Sequence, residues 1–161
     1  MTNLWKTKLL QAAALTFEDL CFLLPDEELT EAQQHASLDA AVQVEFCGPF
    51  HGVLVLRLSN TLLPSIAANM LGEVEIPSPE EQDDALGEIA NVICGNVLPE
   101  IAGGRAIFQL SAPKRIEPSE RPPVDGVSRR ADVCFGVDQG RAEIALFAAP
   151  DAGSFIEESR A

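Results

Sequence analysis

Residues 83–96 read DDALGEIANVICGN, a helical stretch that sets two carboxylates and an amide among small and apolar side chains. At about 100° per residue, Asp84, Glu88, Asn91 and Gly95 fall within roughly 60° of one another. Leu86, Ile89, Ile93 and Val97, with Ala90 at their flank, gather on the opposite side, as in a helix that buries one stripe against a sheet. Ser78 offers a cap, Pro79 suits the first turn, and Glu81 stands three residues after Ser78, as in a capping box. Glu80, Glu81, Asp83 and Asp84 sit where the positive end of the helix dipole favours anions, and Gly103 with Gly104 marks the end. The spacing predicts a helix of about 24 residues, roughly 36 Å long.

Gly87 and Gly95 are unusual choices here, since a glycine inside a helix costs about 1 kcal/mol against alanine. Gly95 lies on the polar line and Gly87 about 40° off its edge. Bare backbone beside Glu88 and Asn91 lets another surface come close. The line is therefore a candidate docking ridge, with Asp84, Gly87 and Gly95 as its partner contacts. A solvated helix face is the plain alternative, and periodicity leaves both open.

At 161 residues the chain has room for one domain with a substantial core. Its hydrophobic share of 47% and charged share of 22% are those of a soluble globular protein. A formal charge of −14 argues against nucleic acid and anionic membranes as partners, because both would repel it. A partner with basic groups around its own site fits better. The opening MTNLWKTKLLQAAALTF reads as an amphipathic helix and not as a signal peptide, and no apolar run approaches the ~20 residues that span a bilayer. Cys21, Cys47, Cys94 and Cys134 lie far apart, each in an apolar run, which predicts buried free thiols in a reducing cytoplasm. His35 and His51 are isolated and lack metal-site spacing, so no metal site is expected.

Working outward, a first helix is predicted over Leu4–Leu24, ending before Pro25, and the acidic PDEELTEAQQHASLDA (25–40) reads as loop or short helix. AVQVEFCGPFHGVLVLRLS (41–59) reads as a hairpin around Gly48, Pro49 and Gly52. NTLLPSIAANMLGE (60–73) reads as a helix with Leu62, Ile66, Met70 and Leu71 on one side, stopped by Gly72. After the long helix, RAIFQLSAPKRI (105–116) is a strand candidate and EPSERPPVDGVSRR (117–130) a Pro-rich charged loop. ADVCFGVDQGRAEIALFAA (131–149) is a second hairpin turning at Asp138–Gln139–Gly140. One domain over residues 1–150 and a tail over 151–161 result. Helix and strand pair occur twice, and setting Glu18 against Glu88 places Cys21 opposite Asn91 and Ala14 opposite Asp84. The expected fold is an α/β (α+β), pseudo-symmetric two-layer sandwich: an antiparallel sheet with the long helices packed on one face.

The pattern Asp84-xxx-Glu88-xx-Asn91-xxxx-Asn96 on a long helix resembles the signature of the CheX/CheC/FliY phosphatases of bacterial chemotaxis. The order of helices and hairpins over about residues 4–150 is similar too, and the glycine-flanked first hairpin followed by SIAANMLGE resembles the CheX branch. The resemblance implies an enzyme that hydrolyses the aspartyl-phosphate of a CheY-like response regulator. It also implies a cytoplasmic setting, no cofactor of the chain's own, Mg²⁺ in the partner regulator, and a homodimer. With Cys21 where an asparagine would stand, it implies one active helix per chain.

The resemblance assigns Glu88 and Asn91 the catalytic roles. Asn91 would orient a water in line with the phosphorus, and Glu88 would anchor the partner's lysine. A carboxamide accepts and donates hydrogen bonds but is too weak a base to take the proton, so orientation is its work. Asp84 would add a partner contact. Asn96 lies about 120° round, nearer the core, and is expected to be structural, bonding a loop or strand. A docking module without catalysis is the alternative, although docking alone does not need an amide at position 91. A Mg²⁺ or Ca²⁺ site on Asp84, Glu88 and Asn91 fails because one helix stripe cannot surround an ion. A glycosidase-like pair fails because both carboxylates point the same way.

Overall fold

A computed structural model of the chain describes residues 4–72, 75–119 and 126–149. The first helix, α1, runs Leu4–Cys21. It stops short of the expected Leu24 because Phe22 turns left-handed (φ 58°), and the Leu23 N–H closes back on the Phe17 carbonyl at 3.0 Å. The acidic segment holds a short helix, α2 (Glu31–His35), opened by a Thr30–Gln33 capping box. Strands β1 (Ala40–Cys47) and β2 (Gly52–Leu58) pair antiparallel as the first hairpin.

A 3₁₀ turn, Asn60–Leu62, leads into α3 (Leu63–Leu71), which Gly72 ends at φ 66°. Leu62 and Ile66 are buried, Met70 packs half-buried against the edge of the core, and Leu71, the last residue of α3, is exposed. Helix α4 spans Pro79–Ala102. Its capping box is formed: Ser78 Oγ accepts from the Glu81 N–H at 3.1 Å, and the Glu81 carboxylate accepts from the Ser78 N–H at 3.0 Å.

The strand candidate at 105–116 is two short pieces, β3 (Gln109–Leu110) and β4 (Lys114–Ile116). Between them the Ser111 N–H donates to the Glu45 carbonyl at 2.8 Å, while Ser111 Oγ accepts from the Glu45 N–H at 3.0 Å. Pro113 has no N–H to continue the ladder. The second hairpin is β5 (Ser128–Val137) and β6 (Gly140–Ala148), turning at Asp138, whose φ is 48°. Ser128, Arg129 and Arg130, expected in the Pro-rich loop, therefore belong to β5. Residues 120–125 of that loop and the expected tail lie outside the described residues.

The sheet order is β3–β1–β2–β6–β5, with β4 also on the outer edge of β1 and every pair antiparallel. The two hairpins meet at β2 and β6, in register from Gly52↔Ala148 to Leu58↔Ala142. Alternate strand residues point to opposite faces. Val42, Val44, Leu54, Leu56, Ile144 and Val133 thus join the helices' apolar stripes in one core. Phe17 of α1 meets Phe135 of β5 edge-on at 5.2 Å. Helices α1 and α4 run antiparallel on this face, since Lys8 early in α1 reaches Glu100 late in α4 at 3.4 Å. The result is a pseudo-symmetric two-layer α+β sandwich in which each half is a long helix and a hairpin. On the opposite face Ala41, Val53, Val55 and Ile116 pack with Phe147, and Arg57 donates to the Pro118 carbonyl at 2.7 Å.

Candidate functional site

Helix α4 divides its residues cleanly between core and solvent. Leu86, Ile89, Ala90, Ile93 and Val97 are 0% exposed. Asp84, Glu88 and Gly95 lie exposed and Asn91 half-buried, all on the outward side. Among the described residues no hydrogen bond or ion pair engages the side chains of Asp84, Glu88 or Asn91. The helix below them is fixed by its cap at one end and by full burial of its inner stripe. An acid and an amide three positions apart therefore stand on a rigid support with their polar groups free.

Two flanks confine this ridge. On one side α1 and α4 form a groove lined by Leu15, Thr16, Asp19, Leu20, Val92 and Asn96. The Thr16 hydroxyl turns inward to donate to the Ala12 carbonyl at 2.7 Å, which leaves the groove an apolar floor between Asp19 and Asn96. Asn96 is exposed and has no side-chain hydrogen bond among the described residues. This corrects the expectation that it bonds a loop or strand. The helical repeat carries it past the sheet-facing stripe, so its neighbour is α1.

On the other side lies the link between β3 and β4. Gly87 is buried, and a Cβ at this position would sit 3.0 Å from the Pro113 Cβ and 3.3 Å from its Cγ. The missing side chain thus makes room for the chain's own loop, which corrects the expectation that Gly87 lies open to a partner. Arg115 of β4 pairs with Asp83 of α4 at 2.6 Å, beside Asp84, and fastens the same flank. Neither contact has a local sequence signal, because the partners lie far apart in the chain. Gly95 differs: a Cβ there meets nothing within 4 Å. The bare backbone expected beside the amide is present at Gly95 and covered at Gly87.

The related helix, α1, carries no second ridge. Glu18 is exposed, but Cys21, opposite Asn91 in the repeat, is 0% exposed and Ala14 is half-buried. Burial pushes the Cys21 thiol up to about 12 and that of Cys94 up as well. All four cysteines are free, but only Cys21 and Cys94 are buried. Cys47 and Cys134 are exposed, against expectation, because each alternates with an inward residue of its strand. Partial burial raises the Cys134 thiol, with Arg141 opposing the shift. Among the described residues no three of His, Cys, Asp and Glu converge as metal ligands, and no helix is long and apolar enough to cross a membrane.

Several solved structures share this architecture. The chain is similar to the chemotaxis protein CheX from Vibrio vulnificus, with 20% identity, 89% of this chain and 95% of that one covered, and a TM-score of 0.70. A CheC-like protein from Shewanella oneidensis MR-1 matches at 23% identity over 92% and 99% of the two chains, with a TM-score of 0.63. A chain of the CheX–CheY–BeF₃–Mg²⁺ complex from Borrelia burgdorferi matches at 16% identity over 89% and 96%, with a TM-score of 0.60. No curated protein matches. At these identities the structures establish the fold. The family model for the chemotaxis phosphatase CheX matches residues 40–135, more than half of the sequence and the whole polar ridge of α4, and the chain belongs to that family.

Proposed function

We propose that this chain dephosphorylates the aspartyl-phosphate of a CheY-like response regulator, with Asn91 positioning the attacking water and Glu88 anchoring the regulator. One observation carries the reading: Glu88 and Asn91 stand on an exposed, capped helix with no internal partner among the described residues. A buried polar side chain is normally hydrogen-bonded within the fold, whereas Glu88 is exposed and Asn91 half-buried, and both keep their polar groups available to a partner. The complex with CheY among the similar structures supports this class of partner.

The chemistry asks little of the phosphatase itself. An aspartyl-phosphate is an acyl phosphate, and the Mg²⁺ expected beside it belongs to the regulator. A water attacks phosphorus opposite the aspartyl oxygen, the bond between phosphorus and that oxygen breaks, and inorganic phosphate leaves. The Asn91 carboxamide oxygen accepts a hydrogen bond from the water and fixes its direction, without taking the proton. A hundredfold acceleration needs only about 2.7 kcal/mol from such orientation. The Glu88 carboxylate, one turn earlier, forms a charge-assisted bond to a basic group of the regulator and sets the distance at which Asn91 works.

The test is to add the chain to a panel of ³²P-labelled response regulators and follow loss of label. At least one should lose it about tenfold faster or more than alone. No acceleration across the panel, with binding retained, would leave docking without catalysis.

A further inference from the structure

Pro99 stands inside α4, four residues after Gly95. In an α-helix the carbonyl of residue i takes its hydrogen bond from the N–H of residue i+4. Proline has no N–H, so the Gly95 carbonyl lacks that donor, and the ring crowds it outward. No side chain donates to it among the described residues. Gly95 is exposed and a Cβ there would touch nothing within 4 Å, so packing does not require the glycine. Two helix-weakening residues thus act on one peptide group. The glycine leaves it without a side chain and the proline withholds its i+4 donor. That group lies one turn beyond Asn91 on the same exposed line. A local rule broken at Gly95 without a gain in packing points to function.

We propose that the Gly95 main-chain carbonyl is a docking acceptor, taking a hydrogen bond from an N–H or O–H donor on the regulator that binds at Glu88 and Asn91. The inference rests on the function proposed above. A backbone acceptor has no rotamers to freeze, and the absent Cβ lets the partner's donor reach it. Gly95 and Pro99 are positioning residues here and take no part in the chemistry.

Pro99→Ala restores the N–H and lets the helix close on the Gly95 carbonyl. Gly95→Ala leaves the carbonyl free but sets a methyl beside it. Thermal midpoints, KM and kcat for dephosphorylation, and Kd for the BeF₃-loaded regulator are measured for wild type and both variants. Both variants should melt above wild type, since each removes a helix-breaking feature. KM and Kd should rise about three- to tenfold, the weight of one hydrogen bond, with kcat within about twofold. A stabilised Pro99→Ala with wild-type KM and Kd overturns the proposal, and so does one that melts lower with unchanged KM, which makes the proline purely structural. If Pro99→Ala fails to fold, Gly95→Ala with wild-type KM overturns it instead. Wild type that binds but does not accelerate loss of phosphate refutes the catalytic reading alone, because Kd still reports on the carbonyl.

Discussion

At position 88 the carboxylate lies exposed and without a partner among the described residues, so its charge is available to a cation that another protein brings. Glu88→Ala should lower kcat/KM tenfold or more, the weight of a charge-assisted hydrogen bond, and weaken binding in step. Glu88→Ala should also flatten the salt dependence of KM, which a series from low to high ionic strength reads. An unchanged KM at low salt would remove the anchor. One position earlier the requirement is internal. At Gly87 even a Cβ would press on Pro113, and the branched side chain of valine has nowhere to go. Gly87→Val should destabilise the fold by about 2 kcal/mol and lower the thermal midpoint by roughly 4–8 °C. A midpoint equal to wild type would show that the link between β3 and β4 yields freely. Neighbouring residues on one helix thus answer to different pressures, one, on the function proposed above, from the regulator and one from the chain's own loop.

Among the elements, α1 ends on a conformation its sequence disfavours. Phe22 takes the left-handed position after the helix, with φ 58°, where glycine is usual, and it is 70% exposed. Its ring buries little and its backbone is strained, so Phe22→Gly should stabilise the fold by about 1 kcal/mol, a rise of roughly 2–4 °C in thermal midpoint. A lower midpoint would mean that the ring contributes packing. This is also where the sequence was hardest to read, because nothing in Phe22 itself announces the turn and the helical pattern runs on to Leu24. The long helix was legible to its ends, since Ser78, Pro79, Glu81 and Gly103 are local signals and the apolar stripe repeats at one period. The division of 105–116 into two strands was not legible. It follows from the fit of Pro113 on Gly87 and the bonding of Ser111 with Glu45, which are long-range. For the same reason the outward line of Asp84, Glu88, Asn91 and Gly95 could be drawn from spacing, whereas the cover over Gly87 and the groove beside Asn96 could not.

For the molecule as a whole, folding divides the thiols into two classes. Cys47 and Cys134 should react with a thiol reagent in the native state, and Cys21 and Cys94 only on unfolding. The buried pair also sets an alkaline limit. Burial raises Cys21 from 9.0 to about 12, so the native state keeps a proton that the unfolded chain has lost. Its contribution to stability is complete below pH ~9 and falls as pH rises from there towards 12. Urea midpoints should therefore drop above pH ~9, and less steeply in Cys21→Ala; equal slopes would count against it. The sandwich itself works as a mount that keeps one face of α4 outward while α1, α3, β1 and β2 bury the other. Whether that mount serves catalysis turns on Asn91. Single-turnover loss of ³²P from a labelled regulator, at saturating wild type or Asn91→Ala, measures this directly. With binding retained, the variant should leave the phosphate decaying about a hundredfold more slowly than wild type, near the regulator's own rate. Equal rates for the two proteins would contradict the role given to the amide.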